Sequence, residues 1–196
     1  MSLYGPQSRE LQDRFDTRRL ADRLEERVVR ATIDADDRAF IEARDMFFLA
    51  TADEHGQPQC SYKGGEPGFV RVLDERTIAF PSYDGSGMYL TLGNVLANPH
   101  VGLLFLDFAG QKRLRLNGVG SIDGADPLLA AYERAQCIVR VRATQVFPNC
   151  PRYIHKLDLV ERSRFVPRAG CEPPVPEWKR RDWAIDVLPS GDPARD

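Results

Sequence analysis

The chain has 196 residues, 42% of them hydrophobic, which suits one domain with a sizeable core and an additional helical arm. Its 27 basic and 29 acidic residues leave a net charge of −2, which argues against a broad basic surface for nucleic acid or an anionic membrane. The sequence contains no run of about 18 apolar residues and no apolar leader. We therefore expect a cytoplasmic protein that does not span a membrane.

The four cysteines, Cys60, Cys137, Cys150 and Cys171, favour neither a zinc site nor disulfide bonds. None belongs to a C-x-x-C pair, and only three histidines accompany them. A structural zinc needs about four closely spaced ligands. A chain of this length can also fold on its core without cross-links, so we expect no metal and reduced thiols.

The N-terminal residues 1–35 are predicted to form a helical arm. Over residues 9–31 apolar side chains recur every four or five positions, as in an amphipathic helix that must cover its apolar stripe with the body or a partner subunit. The stripe consists of Leu11, Phe15, Leu20, Leu24 and Val28. A short helix follows, capped by Asp36 or Asp37 and running through Ile41.

Residues 36–166 show the short alternating patterns of a mostly β domain with α decoration. Helices are predicted over residues 89–97, from Asp126, and in part of 148–155. Many hairpin turns and no strict β–α alternation indicate a β-barrel, and a Pro-rich, extended tail follows over residues 167–196. The predicted strands are 47–50, one that starts at Pro58, 69–73, 77–80, 101–106, 113–120, 137–147 and 157–166.

The first polar cluster that could bind a ligand comprises Ser61, Tyr62, Lys63 and Gly64 at the end of a predicted strand. Lysine supplies a point charge suited to phosphate, and glycine lets a ligand approach the backbone closely. For this cluster taken alone, a glycine turn with a solvated lysine is the more favoured explanation.

A second cluster lies in the loop before the predicted helix 89–97. Pro81, Ser82, Tyr83, Ser86 and Gly87 combine hydroxyl groups with backbone N–H groups near a helix start, a combination that can hold phosphate. An ordinary capped loop is the simpler explanation of the same residues.

A third cluster places Arg113, Arg115 and Asn117 on one face of a strand, toward either solvent or a ligand groove. Motifs for other chemistries are absent, since the sequence has no G-x-G-x-x-G after a strand, no P-loop, no G-x-S-x-G and no H-E-x-x-H. A Cys150–His155 nucleophile pair is less favoured than a packed or turn cysteine.

Read in order, these clusters resemble the pyridoxamine 5′-phosphate oxidase-like family of FMN-binding split β-barrels, whose strands form a Greek key. The arm and the segment NCPRYI at 149–154 resemble one subgroup of that family. The resemblance is carried by FFLAT at 47–51, GQP at 56–58, SYKGG at 61–65, PGFVRV at 67–72, AFP at 79–81, LGN at 92–94, NP at 98–99, VGLLF at 101–105 and RLRLNG at 113–118.

The resemblance implies a homodimer with two FMN sites at the subunit interface and an oxidoreductase that acts on a small-molecule substrate or electron donor. Lys63 would meet the phosphate, and the loop residues Ser82, Tyr83, Ser86 and Gly87 would line the phosphate and ribityl chain. Arg113 would lie near the flavin ring, with Arg115 facing the same way.

The sequence departs from the family pattern in two places, which narrows the range of substrates that we expect. Many relatives carry basic residues where this chain has Ser86 and Gly87, and vitamin B6 oxidases end in an Arg-x-His segment, whereas no histidine follows His155 here. Oxidation of vitamin B6 is therefore not expected. Other interpretations are a deazaflavin, a haem with His155 as the best axial candidate, or a flavin-storing or flavin-sensing module without turnover.

Overall fold

The computed structural model describes residues 2–168 and 170–195. Met1, Ala169 and Asp196, which fall within the predicted arm and tail, lie outside the described residues. The chain divides into two compact units between Asp158 and Leu159. No helix among the described residues is long and apolar enough to cross a membrane.

The N-terminal arm is helical, as predicted, but it is a pair of helices, α1 (Pro6–Arg14) and α2 (Arg18–Val28). The prediction of one continuous helix was wrong because the chain turns at Asp16, which has a left-handed φ of 52°. An ion pair of 2.6 Å between Arg9 and Asp22 then joins the two helices. The stripe residues Leu11, Phe15, Leu20 and Leu24 remain 45–68% exposed.

Helix α3 (Ala35–Glu42) begins two or three residues earlier than predicted, because Asp34 is its N-cap. Asp37 N donates to Asp34 Oδ1 at 2.8 Å, and Asp34 N donates to Asp37 Oδ2 at 3.2 Å. This reciprocal pair satisfies two backbone donors of the first turn. The Asp37 carboxylate also pairs with Arg30 at 2.9 Å, which ties α3 to the preceding segment.

The first unit is built on one antiparallel sheet in the order β2-β1-β5-β6-β7-β4-β3. Helix α4 (Leu90–Ala97) links β4 to β5, and a 3₁₀ helix (Pro127–Ala131) precedes β7. The strands are β1 (Met46–Ala52), β2 (Pro58–Gly64), β3 (Arg71–Val72), β4 (Thr77–Tyr83), β5 (His100–Asp107), β6 (Lys112–Asp123) and β7 (Ala135–Pro148). The predicted strand at 69–73 is shortened because Phe69 N donates to Glu66 O in a turn.

The sheet curls until strands far apart in the sheet order meet, which confirms the predicted mostly β barrel with helical decoration. Phe47 on β1 contacts Phe80 on β4, with ring centroids 5.0 Å apart. We call the side of β1, β5 and β6 that carries the buried Phe47, Phe105 and Leu114 the inner face. The opposite side is the outer face.

Two elements predicted near the end of the barrel are absent. Residues 157–166, all of which the structure describes, form no strand, and Leu159 and Val160 are 59% and 96% exposed. The helical piece expected in 148–155 is a turn, because Tyr153 takes a left-handed φ of 71° and Ile154 N donates to Pro151 O. The barrel therefore ends with β7.

The second unit, predicted as an extended tail, contains short helical segments. These are a 3₁₀ helix (Glu177–Arg180), α5 (Asp182–Ile185) and a 3₁₀ helix (Pro193–Arg195). Lys179 and Asp192 form a buried ion pair of 2.7 Å between the two 3₁₀ helices. Trp178 and Trp183 stack on each other with centroids 6.0 Å apart, so these two rings pack within the unit.

Candidate functional site

Strand pairing places the first predicted cluster partly on the inner face. Lys63 pairs with Phe47, and Ser61 pairs with Leu49. Directly opposed residues of an antiparallel pair point to the same side of the sheet. Lys63 and Ser61 therefore lie on the side that carries the core, at the edge strand β2.

Lys63, Ser61 and Thr91 form a small polar group between β2 and α4. The Lys63 ammonium Nζ donates to Thr91 Oγ1 at 3.4 Å, and the hydroxyl oxygens of Ser61 and Thr91 lie 3.3 Å apart. Burial lowers the pKa of Lys63. Burial is the only cause of this shift and no carboxylate contributes to it, so among the described residues the half-buried cation has only a hydroxyl as its side-chain partner. We call these three residues the Lys63 cradle.

Thr91 was not predicted from the sequence as a site residue. It lies in the first turn of α4, which begins after Tyr89, a residue with a left-handed φ of 49°. The first N–H groups of a helix lack intrahelical partners and favour anions. A hydroxyl residue at the start of the predicted helix 89–97 was the available signal, and its contact with Lys63 depends on how α4 packs.

The second predicted cluster is only partly a loop, because Pro81, Ser82 and Tyr83 belong to β4, whereas Ser86 and Gly87 lie in the loop before α4. Pro81 is buried, and the Ser82 hydroxyl hydrogen-bonds to the Cys137 thiol across the β4–β7 pair. Burial, together with the neighbouring Tyr132, raises the pKa of Tyr83 to about 12, so its phenol stays protonated at neutral pH. Ser86 and Gly87 are exposed.

The glycines of the first cluster have a packing explanation. A Cβ on Gly64 would fall 2.8 Å from the Tyr62 ring, and a Cβ on Gly65 would clash with the Phe69 ring. Aromatic side chains therefore already fill the space beside these two glycines. This contact gives the two glycines a structural role, and Gly87, with φ of 75°, has a left-handed backbone conformation that favours glycine.

Tyr62, Arg113 and Arg115 lie on the outer face. Arg115 pairs with Leu104 and Leu104 with Phe48, whose ring packs edge-on against Tyr62 at 6.0 Å. Arg115 is exposed. Because successive side chains of a strand point to opposite faces, these side chains lie on the face of the sheet that Lys63 does not occupy.

Arg113 is the more enclosed of the two arginines. Its Nη2 donates to Asn149 Oδ1 at 3.3 Å. Its Nε is buried and finds no acceptor among the residues that the structure describes. The same Asn149 oxygen accepts from Cys150 N at 2.8 Å, so the turn after β7 fixes the Arg113 side chain.

The predicted site residues thus fall into two sets. The inner-face set can hold a phosphate with a cation, two hydroxyls and helix N–H groups. The outer-face set presents guanidinium groups that suit a carboxylate or a polar ring edge. One chain alone does not bring Lys63 and Arg113 onto the same side of the sheet.

Solved structures with a similar chain trace come from several bacteria. HupZ of Group A Streptococcus is 16% identical, with 64% of this chain and 99% of that chain covered at a TM-score of 0.49. An FAD-binding protein of Mesorhizobium loti is 18% identical, with 61% and 96% covered at 0.44. HutZ, the heme storage protein of Vibrio cholerae, is 17% identical, with 59% and 93% covered at 0.44.

The family assignment rests on the sequence. No curated protein matches the chain. The family model for pyridoxamine 5′-phosphate oxidase matches residues 33–151, which is more than half of the chain and includes both sets of site residues. The chain therefore belongs to the pyridoxamine 5′-phosphate oxidase family.

Proposed function

We propose that the protein is an FMN-dependent oxidoreductase in which the Lys63 cradle binds the cofactor phosphate. The observation that carries this proposal is the half-buried Lys63 ammonium, whose only side-chain partner among the described residues is the Thr91 hydroxyl. A buried cation without a counter-ion is costly. A phosphate would supply the missing charge, so the residues present fit the cofactor.

The protein's own groups would have separate tasks around FMN, which supplies the electron-transfer chemistry when bound. Lys63 would neutralise the phosphate, and the hydroxyls of Ser61 and Thr91 would orient its oxygens. The neutral phenol of Tyr83 and the hydroxyl of Ser82 would hydrogen-bond to the ribityl chain. These groups bind and position the cofactor, and none needs to act as a nucleophile.

The second part of the proposal is a homodimer in which Arg113 of another copy approaches the flavin ring. The two sets lie on opposite faces of one sheet, so a ligand that touches both requires a second chain. Exposed apolar side chains beside the cradle support such a partner, because Met88, Tyr89 and Leu90 are 66%, 55% and 45% exposed. A cation near the pyrimidine edge of the ring would stabilise reduced, anionic flavin.

The cofactor is tested by adding FMN to the purified protein and following its absorbance and fluorescence. We expect binding at micromolar FMN, weakened in Lys63→Ala and unchanged in the matched control Lys156→Ala, which removes an exposed lysine. Absence of binding at high micromolar FMN would overturn the proposal. A Soret band or binding of a deazaflavin alone would indicate the other cofactors.

Turnover separates an enzyme from a flavin-storing or flavin-sensing module. Bound FMN in an enzyme should be reduced by NAD(P)H or another donor and reoxidised in air over repeated cycles. A flavin that stays oxidised with every donor tried would favour the module without turnover. The FMN titration is independent of this result.

A further inference from the structure

A cleft that is separate from the Lys63 cradle contains residues of both faces of the sheet, with Arg113 from the outer face and Leu114 from the inner face. It has a volume of about 590 Å³ and lies between α3 and the adjoining ends of β5, β6 and β7. Arg113 and Lys112 line it from β6, and Asn149 lines it from the turn after β7. We call it the Arg113 cleft.

The formal charges of the residues that line the Arg113 cleft cancel, because three cations (Arg44, Lys112 and Arg113) face three carboxylates (Asp36, Asp37 and Asp107). Arg44 pairs with Asp107 at 3.3 Å within the cleft, and the Asp37 carboxylate is held by Arg30. Lys112 also interacts electrostatically with Asp107, whereas Arg113 has an amide oxygen, that of Asn149, as its side-chain partner. A cleft without net charge accepts one added negative charge more readily than two.

The Arg113 guanidinium can donate more hydrogen bonds in this cleft than it makes. A guanidinium has five N–H donors, whereas Arg113 makes one side-chain hydrogen bond, to Asn149. Its buried Nε lacks an acceptor among the described residues. A ligand carboxylate in the cleft would accept from the remaining Nη donors in the fork geometry that arginine prefers.

The remaining wall of the cleft is apolar and partly aromatic. The Phe40 ring lies on one side, with the Arg44 guanidinium 4.7 Å from its centroid. Leu114, Pro148 and Pro151 also line the cleft. A flat hydrocarbon body would pack against these groups while its acid group meets Arg113.

From these features we infer that the Arg113 cleft binds a small monocarboxylate with a flat, apolar body. A short-chain carboxylate without such a body would leave the apolar wall uncovered. A phosphate ester would place a second negative charge near Asp36. The contacts that carry the inference lie within a single chain. Because the proposed function gives the same Arg113 to the flavin ring of another copy, binding is measured without FMN.

Calorimetric titration of the full chain with benzoate tests the inference. We expect millimolar or tighter binding of benzoate, and weaker binding of neutral benzyl alcohol and of inorganic phosphate. Arg113→Ala should weaken benzoate binding by at least about tenfold, the effect of losing charge-assisted hydrogen bonds. Arg142→Ala, which removes an exposed arginine of β7, should leave it unchanged. Equal binding by benzyl alcohol, or no effect of Arg113→Ala, would overturn the inference.

Three further measurements keep the conclusion independent of whether Arg113→Ala folds and of whether FMN is bound. Lys112→Gln, an exposed substitution, should also weaken benzoate binding if Arg113→Ala fails to fold, and retention of full affinity would contradict the assignment. Lys63→Ala should lose FMN but keep benzoate. Benzoate should also slow alkylation of Cys150, next to the lining residues Asn149 and Pro151, and not of Cys60, which is exposed on β2.

Discussion

The Lys63 cradle and the Arg113 cleft both contain a cation without an anionic partner, yet their surroundings differ. Hydroxyl groups and a helix start surround Lys63. Carboxylates, an amide and apolar side chains surround Arg113. The difference indicates that the first suits a phosphate and the second a carboxylate or a polar ring edge.

The separation of the two regions follows from the strand period. Lys63, Phe47, Phe105 and Leu114 form one row across four strands, and Arg113 is the neighbour of Leu114 in its strand. A shift of one residue moves a side chain to the other face of a sheet. A ligand that needs Lys63 and Arg113 together must therefore lie between two chains.

The largest expected effect comes from mixing two defective variants. Lys63→Ala and Arg113→Ala should each weaken FMN binding by at least about 30-fold, since loss of one partner of a desolvated charge contact costs about 2–5 kcal/mol. If each site takes Lys63 from one chain and Arg113 from the other, a heterodimer of the two variants has one intact site. Co-expression should then restore tight FMN binding to about half of the sites in heterodimers, measured by flavin content.

The matched control is co-expression of Lys63→Ala with itself under a second affinity tag. It yields the same dimers without an intact site, and its flavin content should stay low. No restoration in the heterodimer of the two variants would show that the two residues do not meet across the dimer. Restoration in the control would show that the recovery does not come from complementation between chains.

A smaller effect is expected on stability when the charge of Lys63 is removed. Lys63→Met keeps the length of the side chain and removes an ammonium that lacks a counter-ion, so the free energy of unfolding without ligand should rise by about 1–2 kcal/mol. FMN binding should fall at the same time. Denaturant unfolding with and without FMN measures both effects, and a less stable Met variant would contradict the unpaired state of Lys63.

The stability of Lys63→Met relative to the wild type should also depend on pH. Burial lowers the folded-state pKa of Lys63 below the value of about 10.5 expected in the unfolded chain. Between these two pKa values the unfolded state binds more protons, so the wild type gains stability as pH rises. The advantage of Lys63→Met should therefore shrink with rising alkaline pH. If the stability advantage of Lys63→Met instead grew with pH, the pKa of Lys63 in the folded state would not be lowered, and its assignment as a cation without a counter-ion would be wrong.

Local patterns predicted much of this fold, because strand alternation and hairpin turns are short-range signals. They placed Lys63 and Ser61 on a strand and Arg113 and Arg115 on one face of another. They also predicted the helix after the Tyr83 loop. The alternation of side chains along a strand could have distinguished its two faces. Only the pairing register shows which of these faces packs on the core.

What the sequence could not predict depends on contacts between distant segments. Thr91 joins the cradle because α4 packs beside β2, 28 residues away from Lys63 in the chain. The arm bends at Asp16, where Arg9 on one helix meets Asp22 on the other. Residues 157–166 read as a strand because apolar side chains recur, although they have no strand partner.

The Thr91 hydroxyl offers a weaker perturbation of the cradle. Thr91→Val preserves the shape of the side chain and removes the group that Lys63 and Ser61 contact. Loss of one hydrogen bond costs about 1 kcal/mol, so FMN binding should weaken about fivefold. Thr144→Val, at an exposed position on β7, is the control in the same titration. Equal affinities for the two variants would remove Thr91 from the cofactor site.

The smallest expected effect concerns the Cys150 thiol beside the Arg113 cleft. Arg152 Nε donates to Cys150 Sγ at 3.1 Å, and hydrogen bonding and charge from Arg152 lower the pKa of that thiol. The thiolate is the reactive form, so Arg152→Gln should slow alkylation of Cys150 at neutral pH by about two- to fivefold, as for an exposed ion pair. The rate at Cys60, mapped on its own peptide, serves as the internal reference.

Because Arg113 also contributes to the lowered pKa of the Cys150 thiol, Arg113→Ala should produce a smaller decrease in the alkylation rate. A larger decrease in Arg113→Ala than in Arg152→Gln would mean that the cleft, rather than the turn after β7, controls the thiol.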